Sequence, residues 1–140
     1  MTPAIWPQPL IVVRDVTAAS RFYTRLLDAE SGHGGDEYEQ IVMDGEIVLQ
    51  IHDLDVMDHH GPLAVPGVPL GNGVLVWFEL SDFEAAVERV RTMGATVERD
   101  VHTNPNARQQ EIWIRDPEGY LVVLAGESAW RPRSADSEPR

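Results

Sequence analysis

Residues 74–87 read VLVWFELSDFEAAV, a short apolar run that passes directly into a helical pattern. The run has the length and composition of a strand, and the residues after Ser81-Asp82 place apolar side chains at helical spacing. Residues 10–23, LIVVRDVTAASRFY, repeat this arrangement with Asp15 in the place of Asp82. Each stretch is followed by strand-like segments that close with a hairpin. The chain is therefore predicted to contain two copies of strand, helix, strand and hairpin.

The ends of both helices are predicted from capping residues. Asp15 is the expected N-cap of the first helix, which runs to about Leu27 with one apolar stripe. Residues 81–84, SDFE, read as a capping box that begins the second helix, and Gly94 ends it.

Segments of strand length surround these helices, and a further one at residues 29–33 is weak. They are residues 8–14, 37–43, 46–52, 73–80, 96–102, 110–115 and 120–126. We expect one domain over residues 1–126, with modules at about 8–52 and 73–126. The linker at 53–72 is rich in Pro and Gly and is expected to span the gap between the modules rather than to form a flap. The polar tail, residues 127–140, is predicted to be disordered.

Composition limits the function classes. A chain of 140 residues suffices for one domain with a single core, and the absence of cysteine excludes a disulfide scaffold and a thiol nucleophile. There is no signal-peptide pattern and no apolar run of about 18 residues, so we expect a soluble cytoplasmic protein without membrane contact. The formal net charge of -12 repels nucleic acid and would attract a cationic small molecule, although acidic composition also serves solubility.

The paired units have Asp15 ahead of Phe22-Tyr23 in the first half and RDPEGY at residues 115–120 in the second. This pattern resembles the vicinal oxygen chelate superfamily, the group of glyoxalases, bleomycin resistance proteins and extradiol dioxygenases. The resemblance covers about residues 8–126. It implies an α+β fold in which two βαβββ modules form a cup-shaped mixed sheet with helices on the outer face. It also implies a homodimer or an internal pseudo-dimer.

Metal-dependent members of this superfamily take their ligands from the first and last strands of each module. The corresponding positions here are Gln8, Gln50, Leu75 and Val123. Leucine and valine offer no lone pair, and two neutral amides cannot offset the desolvation of a divalent cation. We therefore predict no metal and no cofactor at these positions.

One other place is rich in metal-binding residue types. Residues 52–60 read HDLDVMDHH, but their spacing fits no fixed motif, and adjacent histidines on a loop are more often solvated than ligating. Whether this segment binds a metal stays open.

Metal-free members of the bleomycin resistance type sequester a drug in an aromatic and acidic cleft, and this resemblance implies the same role here. The predicted ligand-binding residues are Gln8, Gln50, His52, Trp77, Glu79, Glu111, Trp113, Arg115 and Tyr120. We predict a metal-independent binding protein for a planar or cationic small molecule, such as an antibiotic, with no catalytic residue. The alternative is a lyase, isomerase or dioxygenase of the same superfamily.

Several of these residues also have a structural interpretation that the sequence leaves open. Each tryptophan could fill a core, and Glu79 and Glu111 could pair with Arg115. The amides of Gln8 and Gln50 could hydrogen-bond to each other.

Overall fold

The computed structural model describes residues 3–57, 61–129 and 132. Module 1 and module 2 each contain strand, helix and three further strands, so the predicted repeat is confirmed. Module 1 consists of β1 (Leu10–Val13), α1 (Val16–Leu27), β2 (Glu30–Ser31), β3 (Tyr38–Met43) and β4 (Glu46–Asp53). Module 2 consists of β5 (Leu75–Glu79), α2 (Phe83–Met93), β6 (Thr96–Asn104), β7 (Gln109–Arg115) and β8 (Leu121–Ala125).

The strands form two mixed sheets with the same topology, and the α+β class is confirmed. Their orders are β1-β4-β3-β2 and β5-β8-β7-β6. In each sheet the first strand of the module pairs in parallel with the last, and the other pairs are antiparallel. The described strands thus build two four-stranded sheets rather than one continuous sheet, and the cup shape stays a prediction.

The helix ends follow from their caps. The Asp15 carboxylate accepts a hydrogen bond from the Ala18 N–H at 2.9 Å, as expected for an N-cap. In α2 the N-cap is Asp82, which accepts from the Ala85 N–H at 3.0 Å, so the helix begins one residue later than a capping box on Ser81 would place it. No helix among the described residues is long and apolar enough to cross a membrane.

Both ends of the domain differ from expectation. Gln8 was predicted on the first strand but precedes β1 and is exposed, because Pro7 and Pro9 have no N–H to donate to a ladder. Beyond β8, the Ser128 hydroxyl donates to the Ala107 carbonyl, so residues 127–129 follow the β6–β7 turn. The rest of the predicted disordered tail, except residue 132, and the histidines at 59 and 60 lie outside the described residues.

Each sheet has one face that packs on helices and one that does not. The helix-side residues of both modules belong to one continuous apolar core. Within it, the Tyr23 and Phe78 rings meet edge to face at 6.4 Å, and Arg89 Nε donates to the Leu26 carbonyl at 2.8 Å, which joins the two helices. The helix-free faces contribute little to this core.

The turn between β7 and β8 is fixed to module 1 by a buried carboxylate. Asp116 Oδ2 accepts from the Tyr23 hydroxyl at 2.7 Å, and its Oδ1 accepts from the Glu118 and Tyr120 N–H groups. The Tyr120 hydroxyl in turn donates to the Val12 carbonyl at 2.7 Å. Burial raises the pKa of Asp116, and the hydrogen bonds from Tyr23 and the backbone partly offset that rise.

Two further contacts strengthen this junction. Glu118 Oε1 accepts from the N–H groups of Arg14 and Asp15 at 2.8 and 3.0 Å. The linker crosses Tyr120 at Gly71, where φ is +81° and a Cβ would lie 3.1 Å from the Tyr120 Cα. Because both space and backbone conformation are restricted there, only glycine fits without strain.

We expect Tyr23→Phe to lower the free energy of unfolding by about 1–3 kcal/mol at pH 7, since it leaves a buried carboxylate oxygen without its donor. Loss of that bond raises the pKa of Asp116 further above its value in the unfolded chain. The folded variant then binds its proton more tightly than the unmodified protein does. The loss of unfolding free energy caused by Tyr23→Phe should therefore grow as pH rises from about 4 to 7. Urea unfolding at several pH values measures both effects.

Tyr38→Phe is the matched control, because the Tyr38 hydroxyl bonds a partly buried neutral amide, that of Gln50. Its cost should be smaller and independent of pH in the same range. Equal, pH-independent losses in the two variants would contradict the role assigned to Asp116.

Candidate functional site

The helix-free face of the second sheet carries three rows of side chains set by strand register. The aromatic row is Trp77, Val123 and Trp113, in register across β5, β8 and β7. The basic row is Leu75, Leu121 and Arg115. The acidic row is Glu79, Ala125 and Glu111. Since directly paired residues point to the same face, and same-face neighbours along a strand are about 7 Å apart, the rows form one surface about 14 Å long.

The aromatic row places two indoles on either side of a small aliphatic residue. Because neighbouring strands are about 4.8 Å apart, the backbones of Trp77 and Trp113 are separated by about 10 Å. Val123 between them is completely buried, whereas Trp77 is 43% exposed and Trp113 is partly exposed. The surface that this row offers to a ligand is therefore that of the indole rings.

Trp113 is held in place from several sides. Its Nε1 donates to Glu111 Oε1 at 2.9 Å, and the His102 ring meets it edge on at 5.9 Å. The guanidinium carbon of Arg99, which pairs with Trp113 across β6 and β7, lies 5.7 Å from the ring centroid. The Trp113 indole is thus held by contacts within the protein.

Glu111 is completely buried, and both of its oxygens have partners. Oε2 accepts from Asn104 Nδ2 at 2.7 Å, while Oε1 accepts from Trp113 and lies 3.5 Å from His102 Nε2. The other ring nitrogen of His102 contacts the Asp100 carbonyl at 2.8 Å. Glu111 therefore supports Trp113 and His102 and exposes no surface of its own.

The basic row opens into a cavity of about 940 Å³. One wall is formed by residues 67–74, which run from the end of the linker to the residue before β5. The other wall includes Leu75, Leu121 and Arg115 of the sheet. Arg14 and Glu118 of the module junction complete the lining. A smaller cavity of about 410 Å³ lies at the start of α1 and includes Ser20 and Glu39.

Glu39 in this smaller cavity is structural. Burial alone would raise the pKa of its carboxyl, but hydrogen bonds from Ser31, Gly34, Ser20 and the Gln40 N–H lower it to about 2. Both oxygens are engaged by these donors, which hold residues 31–34 against β3.

The helix-free face of the first sheet carries the other predicted residues. Gln50 Oε1 accepts from the Tyr38 hydroxyl at 2.6 Å, and its Nε2 donates to the Gln8 backbone carbonyl at 2.9 Å. The expected link between Gln8 and Gln50 thus exists, but through the Gln8 backbone. His52 lies on the same face, with Nδ1 at 2.8 Å from the Asp53 carbonyl and its ring 6.2 Å from that of Tyr38.

The four positions that the resemblance assigns to metal ligands do not fit a divalent cation. Leu75 and Val123 are hydrocarbon, and the one side-chain oxygen of Gln50 is occupied by a hydroxyl donor. Within the described residues, no group of three or more His, Asp or Glu side chains is arranged to hold a metal ion. Donor chemistry at these positions therefore argues against a metal site there, and metal independence stays a prediction.

The structure places Trp77, Glu79, Glu111, Trp113 and Arg115 on one face, and their role in ligand binding stays a prediction. Gln50 and His52 lie on the other sheet.

Tyr120 requires a correction, because it is only 6% exposed, belongs to the helix-side core and binds Val12. Tyr120 comes directly after the tight turn and precedes β8, and its side chain belongs to the helix-side core rather than to the helix-free face.

Sequence reasoning missed Arg99 and His102 as neighbours of Trp113, and Arg14 as a cavity residue. The β6–β7 pairing has register shifts between Val97 and Arg99 and between Arg99 and His102, so simple alternation along β6 does not show which side chains face β7. Arg14 becomes visible only when the two modules pack together.

Comparison with known proteins agrees with this architecture. The sequence model of the Glyoxalase/Bleomycin resistance protein/Dioxygenase superfamily matches residues 6–124. The chain therefore belongs to this superfamily. No curated protein sequence matches it closely enough to count as a relative.

Solved structures share the fold at low sequence identity. A lactoylglutathione lyase from Agrobacterium tumefaciens is 19% identical, with 94% of this chain and 100% of that one covered at a TM-score of 0.72. A glyoxalase-related enzyme from Fulvimarina pelagi is 17% identical, covering 97% and 96% at 0.72. A glyoxalase/bleomycin resistance protein/dioxygenase from Nocardioides is 19% identical, covering 98% and 92% at 0.65. At these identities the likeness supports the fold alone.

Proposed function

We propose that this protein binds a planar small molecule, such as an antibiotic, on the helix-free face of its second sheet, without a metal ion. The observation that carries the proposal is the aromatic row, in which Trp77 and Trp113 flank Val123. Indole faces stack on planar rings with a gain of about 0.5–1.5 kcal/mol beyond the area they bury. The neighbouring cavity of about 940 Å³ gives room for a drug-sized molecule.

Sequestration accounts for the site better than catalysis does. Glu111 is buried with both oxygens bonded, and both ring nitrogens of His102 have protein neighbours. A general base must reach the proton that it removes, and neither group is presented in that way. Glu111 and His102 therefore suit holding a ligand more than transforming it.

A metal-free lyase or isomerase is the second candidate, and one contact favours it. His102 Nε2 lies 3.5 Å from Glu111 Oε1, and the histidine side chain keeps 16% of its surface exposed. A ligand that displaced the Asp100 contact would meet an imidazole backed by a carboxylate, which is a common arrangement for proton transfer.

Acridine, a neutral planar probe, should quench tryptophan fluorescence saturably. Trp77→Leu should weaken its binding about three- to tenfold, because the variant keeps apolar bulk but loses the stacking surface. Trp77→Phe is the matched control and should keep most of the affinity. Trp77 is the cleaner site for this test, since Trp113 also bonds buried Glu111.

Isothermal titration calorimetry checks the affinities without relying on the removed fluorophore. Thermal melts of each variant establish that it is folded. Equal affinity in the unmodified chain, Trp77→Leu and Trp77→Phe would remove Trp77 from the site, and no saturable binding of acridine would count against the whole proposal.

The four superfamily ligand positions should hold no metal. After purification in the presence of Zn²⁺, Ni²⁺ and Mn²⁺ and dialysis, elemental analysis should find less than about one tenth of an ion per chain. If an ion is found, the double variant His59→Ala/His60→Ala locates it. Loss of the ion would place it on the 52–60 segment, whereas its retention would contradict metal independence of the site.

We also propose that a second copy of the chain packs against the edges of the helix-free faces at β1 and β5, and leaves Trp77, Trp113 and Arg115 open to a ligand. Leu10 is 42% exposed and Leu75 is 50% exposed, and an unpartnered sheet face with this apolar surface is unusual for a monomer. The strands that carry them, β1 and β5, lie at the edges of the described sheets, with no further strand on their outer sides.

The mass in solution tests this assembly. Light scattering should give about twice the chain mass of 15.6 kDa. Leu10→Asp should shift the mass to that of one chain, because it buries a charge in the contact. Val101→Asp, at an apolar position on β6 that is 39% exposed, is the matched control and should remain dimeric. A single-chain mass for the unmodified protein at micromolar concentration would contradict the proposal.

A further inference from the structure

The two ends of the ligand surface differ in charge. The acidic row ends in Glu79 and buried Glu111, while the basic row ends in Arg115 and opens into the large cavity. A ligand that reaches the cavity therefore meets a guanidinium group, although the chain as a whole carries a formal charge of -12.

Arg115 is held in position by two contacts, but not all of its N–H donors are used. Its Nε contacts Glu98 at 3.3 Å, and its Nη1 donates to the Gly119 carbonyl at 3.1 Å. The remaining guanidinium N–H groups have no partner among the described residues, so they are left to water or to a ligand. The side chains of Arg115 and Glu98 are both half-exposed. Their ion pair therefore orients the Arg115 side chain but neutralises its charge only weakly.

Arg14 adds a second cation to the same cavity. It is largely exposed, with one contact from Nη1 to Glu118 Oε2 at 3.3 Å. The Glu118 carboxylate is already engaged by the backbone N–H groups of Arg14 and Asp15. The charged groups that line the cavity are therefore two guanidinium groups and one carboxylate with several donors, and a second carboxylate, Glu98, contacts Arg115. What the cavity offers an anion is thus the remaining N–H donors of the two arginines rather than an excess of positive charge.

The negative charges elsewhere in the chain act only weakly at the cavity. Solvent and salt screen exposed charges beyond about 8–10 Å, so the net charge of the chain acts weakly at the cavity compared with Arg115 itself. Arg115 is also two residues from Trp113 on the same face of β7, a separation of about 7 Å. That distance fits a ligand whose aromatic ring stacks on the indole and whose acidic group, on the edge of that ring, reaches Arg115.

We infer that the ligand of this site is a planar aromatic acid, with its ring against Trp77 or Trp113 and its carboxylate, or a similar anion, at Arg115. The inference rests on the proposed function and specifies its ligand class. It differs from the cationic guest that the net charge of the sequence favours, because Arg115 presents unused N–H donors to the cavity while distant charges are screened. A guanidinium binds the carboxylate of a ligand through paired charged hydrogen bonds. A ligand with an amine in place of the carboxylate cannot accept these bonds.

Three probes that share one ring system test the inference by calorimetry: acridine-9-carboxylate, acridine and 9-aminoacridine. The acid should bind about tenfold or more tightly than acridine, and the amine should bind no better than acridine. Arg115→Gln should weaken binding of the acid about ten- to a hundredfold and leave acridine within about twofold. Arg115→Lys should recover part of the loss, since it restores the charge without the planar pair of donors.

Two control variants keep the test specific. Arg91→Gln removes an exposed arginine that pairs with Asp100 away from the cavity, and it should change none of the three affinities. Glu98→Gln removes the competing carboxylate and should leave binding of the acid unchanged or tighter.

The outcomes separate this inference from the function that it rests on. Tighter binding of the amine than the acid, or an equal loss for acid and acridine in Arg115→Gln, would overturn the inference and leave planar-ligand binding intact. Failure of all three probes to bind would overturn both.

Discussion

The buried Asp116 carboxylate is the contact on which the arrangement of the two modules depends. It takes one hydrogen bond from Tyr23 of α1 and others from the backbone of its own turn. The same turn sends Tyr120 back to the Val12 carbonyl in β1. Because the turn lies between β7 and β8, it also sets the ends of the strands that carry Arg115 and Leu121. Docking of the modules and placement of the candidate site therefore share one set of hydrogen bonds.

The two faces of each sheet differ in composition and burial. On the helix side, the apolar residues of both modules join one core, and Glu39 and Asp116 supply the buried polar contacts. On the helix-free side of the second sheet, exposed or half-buried Trp77, Trp113 and Arg115 are held in fixed register. Binding surfaces of this kind combine apolar area with a few oriented polar groups, which is the composition found here. In the acidic row, Glu111 contributes support for Trp113 rather than open charge.

The sequence predicts the fold well because its signals are local. Asp15 and Asp82 cap their helices, Gly94 ends the second one, and apolar runs mark the long strands. The site is predicted less completely, because it depends on contacts between segments far apart in the chain. Trp77 and Trp113 can be assigned to one face by alternation, but the fully bonded state of Glu111 needs Asn104 and His102 from β6. The prediction for Tyr120 is wrong because a difference of one residue at a turn moves a side chain to the opposite face of the sheet.

Separation of the core from the helix-free faces also bears on how such a protein can change over generations. Positions 50, 75 and 123 lie on strands outside the helix-side core, and position 8 precedes β1. Exchange of a donor for a hydrocarbon at these places alters what the surface can hold while the junction at Asp116 stays the same. A scaffold of this kind can lose one chemistry and acquire another without passing through unfolded intermediates in its ancestry. Diversity of activity across one architecture is then expected from its geometry.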